Sequence, residues 1–327
     1  MIIFCISLAL IYDFLNGFND SGSLVAAVIS SRALSPRWAL RVAALGELLG
    51  PFLFGVAVAR TIGGDLLDAS AINLEVILAG LIAAIVWNLF TWYGGIPSSS
   101  SHALIGGLVG PAVLAYGLNV VKWGGLLKIV LALTLSPIFG LLAGYLFTKV
   151  IYLLSSGATP RVNDLFRSLQ AVTLFGLALS HGANDSQKTM GVITLVLLIG
   201  GIIPTFYVPQ WVIVVAALAI ASGASIGGWR QIRTLGGKVF RVRPVHGVSA
   251  QLASAGVIAA AALVGGPVST TQVISSAIIG AGAAERFGKV RWSVGQDMLT
   301  AWLLTIPVTA VFSSLVYLLA TWLLRVL

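Results

Sequence analysis

The hydrophobic pattern of this chain is coarse, with long apolar blocks parted by short polar breaks. Ten blocks stand out, roughly 1–31, 42–59, 74–94, 98–116, 129–150, 168–204, 208–228, 246–264, 268–284 and 298–324. Most reach the length of about 20 residues that a helix needs to cross a bilayer. Segments such as "VIVVAALAIASG" do not alternate polar with apolar positions, which argues against a transmembrane barrel. The pattern predicts an all-α polytopic membrane protein with about ten to twelve membrane segments. Blocks 1–31 and 168–204 are too long for one plain span. Each carries a glycine-flanked Asn-Asp pair, so each is expected to be a broken helix or a re-entrant hairpin.

Two landmarks occur twice. "YDFLNGFNDSGSLVAAV" holds Asn19 and Asp20, and "LFGLALSHGANDSQKTMGVITL" holds Asn184 and Asp185. "WYGGIPSSSSHALIGGLVG" (92–110) is matched by "ALVGGPVSTTQVISSAIIG" (262–280), each reading Gly, Pro, a hydroxyl cluster and a small-residue helix. The chain distance from Asp20 to Pro97 is close to that from Asp185 to Pro267, which argues for two copies of one unit. These are expected to be membrane repeats over 1–155 and 156–327.

Loop charge sets their orientation. Arg32, Arg37 and Arg41 follow the first Asn-Asp block, whereas "GGIIPTFYVPQW" after the second is uncharged. The next loop is acidic in the first copy (Asp65, Asp68, Glu75). In the second it is basic (Arg230, Arg233, Lys238, Arg241, Arg243). Equivalent loops with opposite bias lie on opposite faces under the positive-inside rule, so the repeats are expected to be inverted.

Composition agrees. Of 327 residues 58% are hydrophobic and 9% charged, against about 25% charged in a soluble domain, and mean hydropathy is +1.01. Basic loops on one membrane face explain the formal net charge of +9 without nucleic acid. One cysteine, Cys5, offers neither an internal disulfide nor a thiolate cluster. The first fifteen residues lack a basic n-region and a clear cleavage site and are expected to be retained. Trp38, Trp92, Trp123, Trp211, Trp229 and Trp292 fall near block ends and read as interfacial anchors.

An ionised carboxylate in hydrocarbon costs at least about 2.5–3.5 kcal/mol, so two matched Asn-Asp pairs need cations or donors. Inverted-repeat transporters place substrate and coupling-ion sites at interrupted helices near the midplane. Pro97 and Pro267 are each expected to open a helix whose free amides suit an anion. Ser98, Ser99, Ser100 and Ser101, opposite Ser269, Thr270 and Thr271, either donate to an oxyanion or glue helices together. Asn19, Asp20, Asn184 and Asp185 can hold Na⁺, or the carboxylates can accept the proton of hydrogen phosphate. Lys188 either attracts the anion or pairs with Asp185 three residues back. His181 is expected to orient the second Asn-Asp motif, and His246 to lie at the cytoplasmic surface. Three His, at 102, 181 and 246, are too scattered for a hydrolytic metal centre with at least three ligands, so no enzyme is expected.

The ordered set "GFND", "WNLFTWYGGIPSSSSHALIGG", "GANDSQKTMGVI", "GGPVSTT" and "VRWSVGQDMLTAWLLTIP" resembles the inorganic phosphate transporter (PiT) family over about residues 10–310. The resemblance implies phosphate uptake coupled to Na⁺ or H⁺, alternating access between inverted repeats, and residence in a cell membrane, here a prokaryotic inner membrane. Phosphate and lipid are the expected partners, a homodimer is an option, and no cofactor beyond the coupling ion is implied. Glu47 looks like the family's acidic residue after the first motif, or an acid paired with Arg41 or Arg60. Asn88 matches too, as ion-path residue or packing amide. Three positions depart from the pattern: Ser23 where Asn is usual, Gln251 where an acid is expected, and Gln272 where His is expected. They leave the coupling ion open, and with it the choice between phosphate, sulfate or a passive anion path.

Overall fold

A computed structural model describes residues 1–68 and 71–326, leaving aside the side chains of Lys238 and of residues 324–326. Lys238 of the basic loop accordingly falls outside the described side chains. Twelve α-helices follow in chain order among the described residues: α1 (Ile2–Ser30), α2 (Pro36–Leu53), α3 (Ala57–Gly64), α4 (Leu74–Gly94), α5 (Ser100–Tyr116), α6 (Trp123–Leu154), α7 (Val162–Ile199), α8 (Gln210–Ile226), α9 (Trp229–Arg233), α10 (Pro244–Leu263), α11 (Thr270–Glu285) and α12 (Trp292–Val326). The first six span 29, 18, 8, 21, 17 and 32 residues and the last six 38, 17, 5, 20, 16 and 35, the same order of long and short twice over.

Interruptions exist, but not where the sequence suggested. α1 and α7 run unbroken through their Asn-Asp pairs. The breaks fall between α2 and α3, bent by 75°, and between α8 and the α9 segment, bent by 55°. Glycine beside the Asn-Asp pairs serves close approach instead. A Cβ on Gly17 would run into the Ile220 carbonyl of α8, and one on Gly182 into the Glu47 carbonyl of α2. Among the described residues five helices are long and apolar enough to cross a membrane singly, and up to seven spans result if each bent pair counts as one.

Local chemistry sets the helical hairpins α4–α5 and α10–α11. Asn73 caps α4, its side chain accepting from the Val76 amide at 2.8 Å, and α10 opens with Pro244 at its first position. Each first arm ends in a left-handed glycine, Gly95 (φ 64°) and Gly265 (φ 71°), a conformation that strains any residue with a Cβ. Pro97 and Pro267 then stand two residues ahead of the helix caps, so Ser99 and Ser269 open α5 and α11 rather than the prolines.

The two halves interlock. α1 packs on α8 and α7 on α2, while α5 packs on α12 and α11 on α6. Apolar side chains of α6 (Leu131, Phe139, Leu146) and α12 (Leu303, Val311, Leu315) are exposed, whereas Asp20, Asp185, Glu47 and Lys188 are buried. Apolar outside and polar within is the arrangement for which lipid is the solvent.

Candidate functional site

The polar interior gathers where α1 and α7 meet. Four residues before each aspartate, a side chain reaches across to the other half. Asn16 Nδ2 donates to Asp185 Oδ2 at 3.1 Å, and His181 Nε2 stands 3.5 Å from Asp20 Oδ2. A helix returns i and i+4 to one face, so each aspartate shares a face with its own half's reaching residue. His181 Nε2 is also 3.7 Å from Asp185 Oδ2, and its Nδ1 is 3.0 Å from Glu47 Oε1. Both ring nitrogens therefore face carboxylates. Either a doubly protonated ring or a cation lodged beside Nε2 satisfies that geometry. Asp20, His181 and Asp185 each offer a ligand atom within 4.8 Å of the others.

The hairpin tips close the cluster. Thr271 Oγ1 donates to Asp20 Oδ1 at 2.6 Å, and Thr270 Oγ1 to Asp185 Oδ2 at 3.0 Å. Lys188 Nζ pairs with Asp185 Oδ1 at 2.5 Å and also donates to Ser101 Oγ at 2.6 Å and to the Val268 carbonyl at 3.0 Å. Tyr12 Oη donates to the Ser100 carbonyl at 3.1 Å. Asn19 Nδ2 donates to the Asn88 carbonyl at 3.2 Å and Asn184 Nδ2 to that of Gly266 at 3.1 Å, tying both helices to the turns. Buried oxygens without a hydrogen-bond partner include Asp20 Oδ2, Asn16 Oδ1, Asn19 Oδ1, Asn184 Oδ1, Ser23 Oγ and Ser269 Oγ. Such unpartnered acceptors are costly unless something fills them.

Several sequence expectations are resolved here. Asp20, Asp185, Glu47, Ser101, Thr270 and Thr271 join one cluster, flanked by Asn19, Asn184 and Ser100. Glu47 faces His181, not Arg41 or Arg60. Asn88 contributes its carbonyl. Ser98 turns away, accepting from Trp87 Nε1 at 2.8 Å and lying 3.3 Å from Thr305 Oγ1. Ser99 caps α5 and lies 2.6 Å from His102 Nδ1. His102 and Gln272, matched positions in the two tips, approach each other at 3.5 Å. Gln251 is not in the cluster: it accepts from Thr173 Oγ1 at 2.5 Å, some three turns of α7 before Asp185, or roughly 18 Å. Its lack of charge therefore leaves the cluster itself unaltered. His246 is buried rather than at the surface, its Nδ1 accepting from the Arg243 amide at 3.2 Å. Trp92 is no free anchor but lies under the Arg230 guanidinium.

Asn16, Tyr12 and Asp13 escaped sequence reading. Asp13 is fully buried with both carboxylate oxygens unpartnered. The signal was their spacing: positions 13, 16 and 20 recur on one helical stripe, visible only if α1 is read as continuous.

Fold and site together define a multi-pass helical membrane protein with a charged, cation-suited centre between two intertwined halves. The chain belongs to the phosphate transporter family, whose model matches residues 16–159 and 154–313. A "probable low-affinity inorganic phosphate transporter" of Bacillus subtilis (strain 168) is 42% identical, over 97% of this chain and 95% of that protein. One of the same description from Rhizobium meliloti (strain 1021) is 42% identical over 95% and 94%. A Mycobacterium tuberculosis (strain ATCC 25618 / H37Rv) relative is 43% identical over 94% of this chain and 75% of its own. A solved structure described as "The sodium-dependent phosphate transporter" shares the fold with a TM-score of 0.87, at 24% identity, over 100% of this chain and 99% of that one.

Proposed function

We propose that this chain carries inorganic phosphate across the cell membrane together with cations, Na⁺ or H⁺, by exposing the central cluster alternately to each side. The observation that supports it is the meeting of carboxylates and hydroxyl-bearing helix starts in one buried place. The first amides of a helix have no intrahelical partner, and those of α5 and α11 open beside Ser101, Thr270 and Thr271. Such ends suit an oxyanion. Asp20 and Asp185, with the unpartnered amide oxygens of Asn19 and Asn184, suit a hard cation.

Charge explains why the two ligands travel together. Asp13, Asp20, Glu47 and Asp185 are all buried, against Lys188 and the His181 ring. A phosphate entering alone would add negative charge to an interior already rich in it, a large desolvation and repulsion cost. A cation bound beside Asp20 removes that cost, so phosphate affinity rises with cation occupancy and, by linkage, the reverse. A carboxylate accepting the remaining proton of hydrogen phosphate would favour phosphate over sulfate, which has none to give.

Residues 1–155 and 156–327 act in this reading as inverted-topology repeats. Exchange of the α1–α8 and α7–α2 contacts would then open one side as it closes the other. Radiolabelled phosphate uptake into proteoliposomes under separately imposed Na⁺ and proton gradients tests the proposal. Accumulation should follow one of the gradients and resist competition by sulfate. Flux indifferent to both gradients would point to a passive anion path, and effective competition by sulfate to another oxyanion as substrate.

A further inference from the structure

The two aspartates occupy matched positions yet are treated differently. In the first half, Asp20 Oδ1 accepts directly from Thr271 Oγ1 of the opposite tip at 2.6 Å. Ser101 is the counterpart of Thr271 in the other tip, and an ammonium stands between it and Asp185. Lys188 Nζ lies 2.5 Å from Asp185 Oδ1, 2.6 Å from Ser101 Oγ and 3.0 Å from the Val268 carbonyl. The three oxygens come from α7, from α5 and from the turn before α11, so both halves contribute. Counting three residues on from each aspartate, the position of Lys188 in "NDSQK" is held in "NDSGS" by Ser23. Ser23 is buried and its hydroxyl has no partner.

An ammonium carries three protons and no lone pair, and Lys188 spends all three on these oxygens. No donor remains to reach a phosphate. A compact charge held by a carboxylate, a hydroxyl and a carbonyl is surrounded as a small metal cation would be. The first half offers related ligands, Asp20 Oδ2, Asn19 Oδ1 and Ser23 Oγ, none with a hydrogen-bond partner; the His181 ring stands 3.5 Å from Asp20 Oδ2, and no ammonium is lodged among them.

We infer that Lys188 is a tethered cation. Its ammonium fills the cation position of the second half, so the mobile cation is taken up in the first half alone, beside Asp20. The inference rests on the carrier reading above and deepens it: one of two equivalent coupling charges belongs to the chain and does not travel. Lys188 is a positioning residue for the anion, acting through Asp185 and Ser101.

The test compares the full-length protein with Lys188→Ala in proteoliposomes, recording phosphate uptake against Na⁺ with choline as replacement. At low Na⁺ the variant should fall about ten-fold or more below the unaltered protein, since a buried charge has lost its partner. Rising Na⁺ should restore it, with a Hill slope about one unit steeper than the unaltered protein's. Methylammonium, a free stand-in for the lost group, should restore it too, and Lys188→Arg should need no added cation. A loss that neither Na⁺ nor methylammonium relieves, or a Na⁺ curve identical to the unaltered one, would overturn the inference. Should Lys188→Ala fail to fold, crystals of the unaltered protein soaked in Tl⁺ decide the matter. Heavy-ion density is expected beside Asp20 and not between Asp185 and Ser101; density at the latter place, with Lys188 displaced, would contradict it. Absence of any gradient-driven phosphate uptake by the unaltered protein would instead sink the carrier reading.

Discussion

The Asp20 half and the Asp185 half of the cluster have the same parts in different states of completion. Asp185 accepts from Asn16, Thr270 and Lys188, so both oxygens of its carboxylate hold protein donors. Asp20 accepts from Thr271 alone and presents its other oxygen to His181 at 3.5 Å, outside hydrogen-bonded geometry. One half is internally neutralised and the other is left open. A duplicated site thus need not remain two equal sites: a single change in side chain, Lys188 against Ser23, divides structural from exchangeable charge.

That contrast orders the expected mutational effects. Asp185→Asn should be the most damaging, because it strands a buried ammonium. Breaking a buried pair by removing one partner costs about 3–5 kcal/mol, so thermal stability in detergent and transport should fall together. Asp20→Asn should reduce phosphate uptake by about two orders of magnitude through loss of charge-assisted contacts. Its expression and melting temperature should stay near those of the unaltered protein. Equal loss of stability in both variants would erase the distinction between the halves.

A second pair sharpens the comparison at smaller amplitude. Thr271→Val removes the direct donor to Asp20 and should weaken half-saturating cation by about ten-fold, a charged hydrogen bond being worth about 1.5–3 kcal/mol. Ser101→Ala removes one of three oxygens around Lys188 and should cost less in cation dependence, visible mainly as lower stability by about 1 kcal/mol. Smallest of all should be Gln251→Ala, which loses one hydrogen bond to Thr173 far from the cluster. A change of about two-fold or less in uptake is expected from so remote a contact. A change in the cation dependence of that variant would bring α10 into the ion path after all.

Much of this arrangement is legible in the sequence, and what is not has a physical reason. The Asn-Asp pairs and hydroxyl tips are visible because charge and hydroxyls stand out against apolar blocks. The Gly-Gly-x-Pro and Gly-Gly-Pro turns are visible as turns, and the structure adds that Gly95 and Gly265 in them are left-handed. Continuity of α1 and α7 is not visible, because glycine in an apolar block serves either a break or a close helix approach. Gly17 beneath the Ile220 carbonyl and Gly182 beneath that of Glu47 are of the second kind, and only the tertiary packing decides. Reading α1 as interrupted hid the stripe of Asp13, Asn16 and Asp20. The partner of Glu47 was likewise out of reach: local spacing offers Arg41, whereas the fold brings His181 from 134 positions later in the chain.

The same physics explains why Gln251 misled. Its place in the motif pattern suggested a missing charge in the ion path, but sequence pattern carries no distance. The structure puts it on the α7–α10 contact, where an uncharged amide whose oxygen accepts from Thr173 costs less to bury than a carboxylate would.

Most direct of all is the ratio of internal to external radiolabelled phosphate reached at steady state in proteoliposomes, measured for the unaltered protein and Asp20→Asn under one imposed cation gradient. Phosphate should accumulate against its own gradient in the first and only equilibrate in the second. Accumulation of the same height in both would contradict the role given to the open half of the cluster.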